Sequence, residues 1–274
     1  MGEQLSVVIT GSTRGIGKGI AAQILQRGHN VVLSGRTAAA VEAALAELAP
    51  LATGGARAVG APCDVSRHDE LQRLWDTGVA AFGRIDIWVN NAGVSHARQR
   101  AGEMLAADID AVQRTNLLGM MLASQIALRG MQQQGGGTIY NMEGFGSNGM
   151  VTPGMGLYGA SKFALTYFNK ALLAETGAGP VKVCYLSPGI VITDLLRRDV
   201  GSNNPRELER TRRIYDILAD RVETVTPWLT ERILKPQKAG SRIAWLTGRK
   251  AAGRFLMSLV RKRRVVTDAD LAAG

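Results

Sequence analysis

The chain has 274 residues, 46% of them hydrophobic and 20% charged, which excludes a disordered polymer and fits one α/β domain with an extension. Its net charge of +10 is unevenly placed: 18 Lys+Arg face 7 Asp+Glu between Arg197 and Arg264, while the remainder holds 15 against 16. The basic excess belongs to the C-terminal quarter and is accompanied by no nucleic-acid-reading motif, so no nucleic acid is expected as a partner.

The N-terminus passes at once into "LSVVITGS". No basic segment precedes an apolar one, so no secretory leader is expected. No apolar run approaches about 18 residues, so no membrane span is expected either. Apolar, β-branched runs then alternate with amphipathic stretches. Strands are predicted over Val7–Thr10, Val31–Ser34, Arg57–Cys63, Ile85–Asn90, Thr138–Met142 and Val181–Leu186. Helices are predicted over Gly17–Gly28, Ala38–Leu48, Asp69–Phe82, Asp108–Gln134 and Gly156–Thr176. That alternation implies βαβ crossovers: a doubly wound parallel sheet of Rossmann type, helices on both faces.

Beyond Pro188 the pattern changes. Residues 189–204 read as a loop or short helix, 205–235 as helix interrupted near Pro227, and Ser241–Gly248 as a last strand. Arg249–Arg264 reads as a basic amphipathic helix with Phe255, Leu256, Leu259 and Val260 on one face. Residues 1–200 are expected to form the nucleotide-binding body with the reacting site, and 201–274 a substrate lid and basic extension of the same domain. The two cysteines, Cys63 and Cys184, fit no metal spacing, and no disulfide or metal site is expected.

The segment "VVITGSTRGIGKGIA" follows the first strand and opens the first helix. Gly11, Gly15 and Gly17, with Ser12, Thr13, Arg14 and Ile16 among them, allow backbone N–H groups and a helix N-terminus to approach a pyrophosphate. An acidic residue at the end of the second strand would bind the ribose hydroxyls of NAD. Here Ser34 and Gly35 are followed by Arg36, and Arg14 adds a second guanidinium, which favours a 2′-phosphate and hence NADPH. Asp64 and Val65 end the third strand, with Asp64 placed to accept from an adenine amine. Asn91, Ala92 and Gly93 end the fourth, where open α/β sheets bind ligands. Tyr158 and Lys162 are four residues apart, on one helix face. A phenol beside an ammonium is a credible proton donor.

Taken together, "TGSTRGIG", "NNAG", Asn116 in "RTNLLG", "YGASK" and "SPGIVIT" resemble the short-chain dehydrogenase/reductase family over residues 5 to about 195. The resemblance implies a nicotinamide cofactor and a Tyr158–Lys162–Ser–Asn116 set. Tyr158 would be the general acid. Lys162 would favour its phenolate and bind the nicotinamide ribose, and Asn116 would hold a relay water. Pro188, Gly189, Ile190 and Thr193 would close over the nicotinamide. It also implies a homodimer or homotetramer formed through the two long helices. The two unpaired cysteines make a reducing compartment the default, so a cytoplasmic protein is expected, with membrane association through the basic tail as the alternative.

The usual serine is missing: thirteen residues before Tyr158 stands Phe145, and alignment on Asn141 brings Gly144 there. Ser147 is the nearest hydroxyl, in a loop with glycines at 144, 146 and 149. "YNMEGFGSNG" and the ending "SRIAWLTGRKAAGRFLM" resemble the chlorophyll b reductase subgroup. That likeness implies reduction of a formyl group on a bulky macrocycle to hydroxymethyl, with Met142, Met150 and Met155 as an adaptable lining. The alternatives are a ketoreductase of acyl thioesters or steroid-like substrates, or a catalytically weak nucleotide-binding scaffold. His96 reads as a loop residue. The basic helix Arg249–Arg264 suits an anionic membrane surface, with an ordinary packed helix as the alternative.

Overall fold

The computed structural model describes residues 3–199, 205–267 and 270. The chain opens with β1 (Ser6–Ile9), α1 (Gly15–Leu25), β2 (Asn30–Gly35), α2 (Ala38–Leu48), β3 (Ala58–Pro62), α3 (His68–Phe82) and β4 (Ile87–Asn90). The next helix is composite: α4 (Ala106–Val112), a π-helical turn (Gln113–Leu118) and α5 (Gly119–Gln133). It is followed by β5 (Gly137–Met142), α6 (Gly156–Thr176) and β6 (Val181–Ser187). The C-terminal part holds β7 (Val191–Ile192), α7 (Asp194–Asp199), α8 (Pro205–Leu218), β8 (Asp220–Arg221), α9 (Val222–Ile233), β9 (Arg242–Ala244) and α10 (Gly248–Ser258).

Seven parallel strands lie in the order β3-β2-β1-β4-β5-β6-β9, and β7 pairs with β8 in a small second sheet. Because strand side chains alternate, Val7 and Ile9 enter one core with Ile20, Ile24 and Leu229, while Val8 enters another with Leu71, Leu74 and Trp88. Each such side chain contributes about 1.5–3 kcal/mol on burial. The two cores clamp the sheet from both faces, as a doubly wound fold requires. β4 returns beside β1 after the chain has run out to β3, so the sheet reverses order between them, and a crevice opens there at the carboxyl ends.

All six predicted strands form, but four sequence expectations change. The helix expected over Asp108–Gln134 starts two residues earlier and carries the π turn at Asn116. The break expected near Pro227 lies at Ala219–Arg221; Pro227 sits inside α9, where it removes one backbone donor without ending the helix. The last strand has shrunk to Arg242–Ala244, and the basic helix stops at Ser258. None of the α10 residues is fully buried, but Arg254 reaches back to Leu218 O (2.8 Å) and Asp220 (2.8 Å), so one edge of the helix packs beside α8 while the rest stays exposed.

Asp220 ties the parts of the extension to one another. Its buried carboxylate accepts from Trp245 Nε1 (2.6 Å), Arg254 Nη2 (2.8 Å) and Arg263 Nη2 (2.8 Å). Burial alone would raise its pKa, but these donors outweigh burial and hold it below the usual value.

Candidate active site

The nucleotide crevice is built by cross-ties between strand ends. Asn91 Nδ2 donates to Thr10 O and Gly11 O, both at 2.9 Å, and Asn91 N and Ala92 N donate to Thr10 Oγ1 at 3.0 and 3.1 Å. Gly11 has φ +63, and a Cβ there would lie 2.9 Å from Ala92 Cα, so a side chain would force the two strand ends apart. Ser12 is turned inward: Oγ donates to Ile9 O (2.8 Å) and accepts from Ser34 N (3.0 Å), so its hydroxyl serves the loop. Thr13 packs on Gly35, and Thr193 on the glycine loop at Gly15, which brings the Pro188–Thr193 segment over the crevice. At α1 the N-cap residue Arg14 makes no side-chain cap bond, and no acid lies in the first turn. The first-turn N–H groups and the positive end of the dipole are thus left for an anion, and the crevice fits a dinucleotide pyrophosphate.

The charges are less uniform than expected. Arg36 is exposed just past β2. Arg14 Nη1 instead pairs with Asp194 Oδ2 at 3.3 Å, joining the glycine loop to the start of α7. Asp64 Oδ1 accepts from Ser66 N (2.9 Å) and Ser66 Oγ (2.8 Å), and Val65 is buried against Gly119.

Tyr158 and Lys162 lie one turn apart on α6, both buried, with Lys162 Nζ 5.8 Å from the phenol ring centroid. Burial pushes the Lys162 pKa down to about 8, with Glu143 opposing the shift. Nζ donates to Met142 O at 3.3 Å. Asn116 points inward from the π turn, an irregularity frequent at functional sites. Its Oδ1 accepts from Val94 N (2.8 Å), and its Nδ2 donates to Val94 O (2.9 Å) and Ser161 Oγ (3.2 Å). A water relayed through this side chain would therefore need the second lone pair of Oδ1.

Gly144 stands against the phenol. A Cβ built there would lie 2.5 Å from Tyr158 Oη and 3.0 Å from Lys162 Cε, so a serine at that position would have to push the phenol or the lysine aside. Ser147 turns back toward it: Gly144 N donates to Ser147 Oγ at 3.1 Å, and Ser147 N to Gly144 O at 3.1 Å. Thr166 Oγ1 fixes the turn by donating to Ser147 O at 2.8 Å.

The family model described as short chain dehydrogenase matches residues 6–203. The chain belongs to the short-chain dehydrogenase family. It is 34% identical over 270 residues to the protein named probable chlorophyll(ide) b reductase NYC1, chloroplastic, of Oryza sativa subsp. japonica, covering 93% of this chain and 51% of that one. It is 34% identical over 275 residues to the chlorophyll(ide) b reductase NOL, chloroplastic, of Arabidopsis thaliana, covering 96% and 77%. The chain thus spans about half the length of the first relative. The fold matches a 3-ketoacyl-(acyl-carrier-protein) reductase from Brucella melitensis complexed with NADH, with TM-score 0.76, 23% identity, and coverage of 90% and 99%.

The short-chain dehydrogenase family binds a nicotinamide dinucleotide, and this chain sets a buried phenol, Tyr158, beside a buried ammonium, Lys162, whose pKa burial lowers. Several of the residues that build the site escape sequence reading. Beneath the site, Asn90 Nδ2 donates to Asn141 Oδ1 (2.7 Å) and Ser124 Oγ (3.0 Å), and Asn141 Nδ2 to Asn169 Oδ1 (2.6 Å), a buried polar chain joining β4, β5, α5 and α6. Glu143 pairs with Arg242 (2.7 Å), fastening β9 beside the glycine-rich loop. His96 is the loop residue expected, but it is buried against the start of α6. The expected methionine lining does not assemble: Met142 is in the sheet core and Met150 is exposed. Among the described residues no group of three or more His, Cys, Asp or Glu is arranged to hold a metal. Nor, among them, is any helix long and apolar enough to cross a membrane.

Proposed function

We propose that this chain is an NADPH-dependent carbonyl reductase that converts the formyl group of chlorophyll b or a related chlorophyllide to hydroxymethyl. The observation that carries the reading is the bare Gly144 against the Tyr158 hydroxyl, in a chain 34% identical to reductases named for that substrate. With no side chain at Gly144, the Tyr158 hydroxyl keeps its place against the loop. An aldehyde also needs less polarisation than a ketone.

A nicotinamide held in the crevice would supply hydride to the carbonyl carbon. Tyr158 gives its phenolic proton to the carbonyl oxygen. Lys162, held against Met142 O, stabilises the phenolate left behind and positions the ribose. Ser147 Oγ accepts from Gly144 N–H, which leaves its own proton for the developing alkoxide. Gly144 N–H is already engaged, which makes it the poorer donor of the two. Arg36 meets the 2′-phosphate, joined by Arg14 when Arg14 leaves Asp194. Pro188, Gly189, Ile190 and Thr193 cover the nicotinamide.

Two surfaces accompany this reading. Leu118, Met121, Phe163 and Tyr167, exposed on the π turn, α5 and α6, are the apolar face through which copies pair into a dimer or tetramer. Phe255, Leu256, Leu259 and Val260, 47%, 67%, 81% and 87% exposed beside an all-cationic run, make peripheral contact with anionic lipid. The test is NADPH consumption against chlorophyllide b, simple aldehydes, acyl-thioester ketones and steroids. Preference for the macrocyclic aldehyde supports the proposal. Activity confined to thioester or steroid ketones selects the ketoreductase reading, and none with any substrate selects the scaffold.

A further inference from the structure

The loop after β4, the π turn and α6 are joined around the phenol by a closed circuit of hydrogen bonds. Val94 and Asn116 exchange two bonds, of 2.8 and 2.9 Å. Asn116 Nδ2 donates to Ser161 Oγ (3.2 Å), and Ser161 Oγ donates to Tyr158 O (2.7 Å). Tyr158 N then donates to His96 Nε2 at 3.3 Å. His96 lies two residues from Val94, so the circuit closes at the imidazole.

The helix end explains why an acceptor belongs there. The first turn of a helix has N–H groups without intrahelical partners, and Met155, the N-cap residue of α6, supplies no side-chain bond. Tyr158 is the third residue of the helix, the position whose N–H an N-cap side chain ordinarily satisfies. His96 performs that task from another segment. Its Nδ1 lies 2.6 Å from Ala97 O, and a carbonyl only accepts, so Nδ1 carries the proton and Nε2 is a lone pair facing Tyr158 N–H. The ring is 3% exposed, which protects both bonds from water. On its other side the phenol stands close to Gly144, where a Cβ would lie 2.5 Å from its oxygen.

We infer that His96 is a positioning residue for proton transfer: by capping α6 at Tyr158 it fixes where the phenol stands over Gly144. The inference rests on the proposed role of Tyr158 as proton donor, and His96 acts only through that residue. Reorienting a reacting group by a fraction of an ångström is costly, so turnover is expected to fall about 10- to 100-fold without the cap.

The experiment compares His96→Phe, which fills the space without an acceptor, with His96→Gln, whose amide oxygen can stand in for Nε2. Expected for His96→Phe are at least about 10-fold faster amide exchange at Tyr158, a 10- to 100-fold lower kcat, and an unchanged Kd for NADPH. His96→Gln should restore both exchange and kcat. In the Tyr158→Phe background His96→Phe should cost little more, because both act on one step. In the wild type, NMR of ¹⁵N-labelled histidine should report His96 protonated at Nδ1, a measurement that needs no variant to fold. Unchanged Tyr158 exchange in His96→Phe, a proton on Nε2, or fully additive losses in the double variant each overturn the inference. If Tyr158→Phe alone keeps normal turnover, the proposed proton donor fails, while amide exchange still decides whether His96 caps the helix.

Discussion

Lys162→Met should make the protein more stable and almost inactive. The Lys162 side chain is buried, and its pKa is pushed from 10.5 down to about 8 by that burial. Keeping the ammonium charged in the folded state at pH 7 therefore costs about 3 kcal/mol, at about 1.4 kcal/mol for each tenfold change in proton affinity. Methionine is similar in length and brings no charge to desolvate. It also removes the donor to Met142 O, which costs about 1 kcal/mol. The net expectation is a gain of about 2 kcal/mol at pH 7. The sign can be followed with pH. Below about 8 the group is protonated in both states and the penalty is full. From there to 10.5 the unfolded chain binds the proton and the folded one does not, so the wild type gains stability as pH rises and the advantage of the variant disappears. Urea unfolding of the cofactor-free proteins at pH 7 and pH 10.5 gives both differences, with turnover measured in parallel. Groups common to the two proteins cancel. A variant that is less stable at pH 7, or whose advantage grows toward pH 10.5, refutes the reasoning.

Further outcomes follow from the same geometry. Gly144→Ser should push Tyr158 aside, costing about 1–3 kcal/mol in thermal unfolding and most of the turnover; unaltered kinetics would contradict the contact. Ser147→Ala should lower kcat about 10-fold, below the 10²–10³ of a preorganised oxyanion donor, because its loop is glycine-rich; stopped-flow turnover with NADPH binding as control reads it. Arg36→Asp should reverse a preference for NADPH over NADH of about 10- to 100-fold, measured by fluorescence titration; equal wild-type affinities would remove that premise. Asp220→Asn should unpair Arg254 and Arg263 and cost about 3–5 kcal/mol. Because the folded Asp220 pKa is depressed, that stability is present at neutral pH and lost as pH falls through the folded value, so the variant should show a flatter acid limb.

Much of the fold was legible because it rests on local signals. Continuous apolar, β-branched runs mark β1, β2 and β5, and the glycine loop marks the β1–α1 turn, where φ +63 at Gly11 suits glycine. Tyr158 and Lys162 were readable from helical spacing alone. Features set by distant partners were not. The π turn at Asn116 depends on Val94, 22 residues away, and the cap on Tyr158 depends on His96, 62 residues away. The break at Ala219–Arg221 reflects the pairing of β7 with β8, which overrides the stronger local signal of Pro227. Arg14 was readable as a cation, but its pairing with Asp194 across 180 residues was not.

The central claim concerns where hydride and proton go, and isotope transfer tests it most directly. Chlorophyllide b is incubated with NADPH deuterated at the transferring position, and the product is examined by mass spectrometry and NMR. The account predicts a hydroxymethyl product with one deuterium on its carbinol carbon, formed by the wild type and at least about 10²-fold more slowly by Tyr158→Phe. An untouched formyl group under conditions where the protein reduces another carbonyl, or equal rates for wild type and Tyr158→Phe, would contradict it.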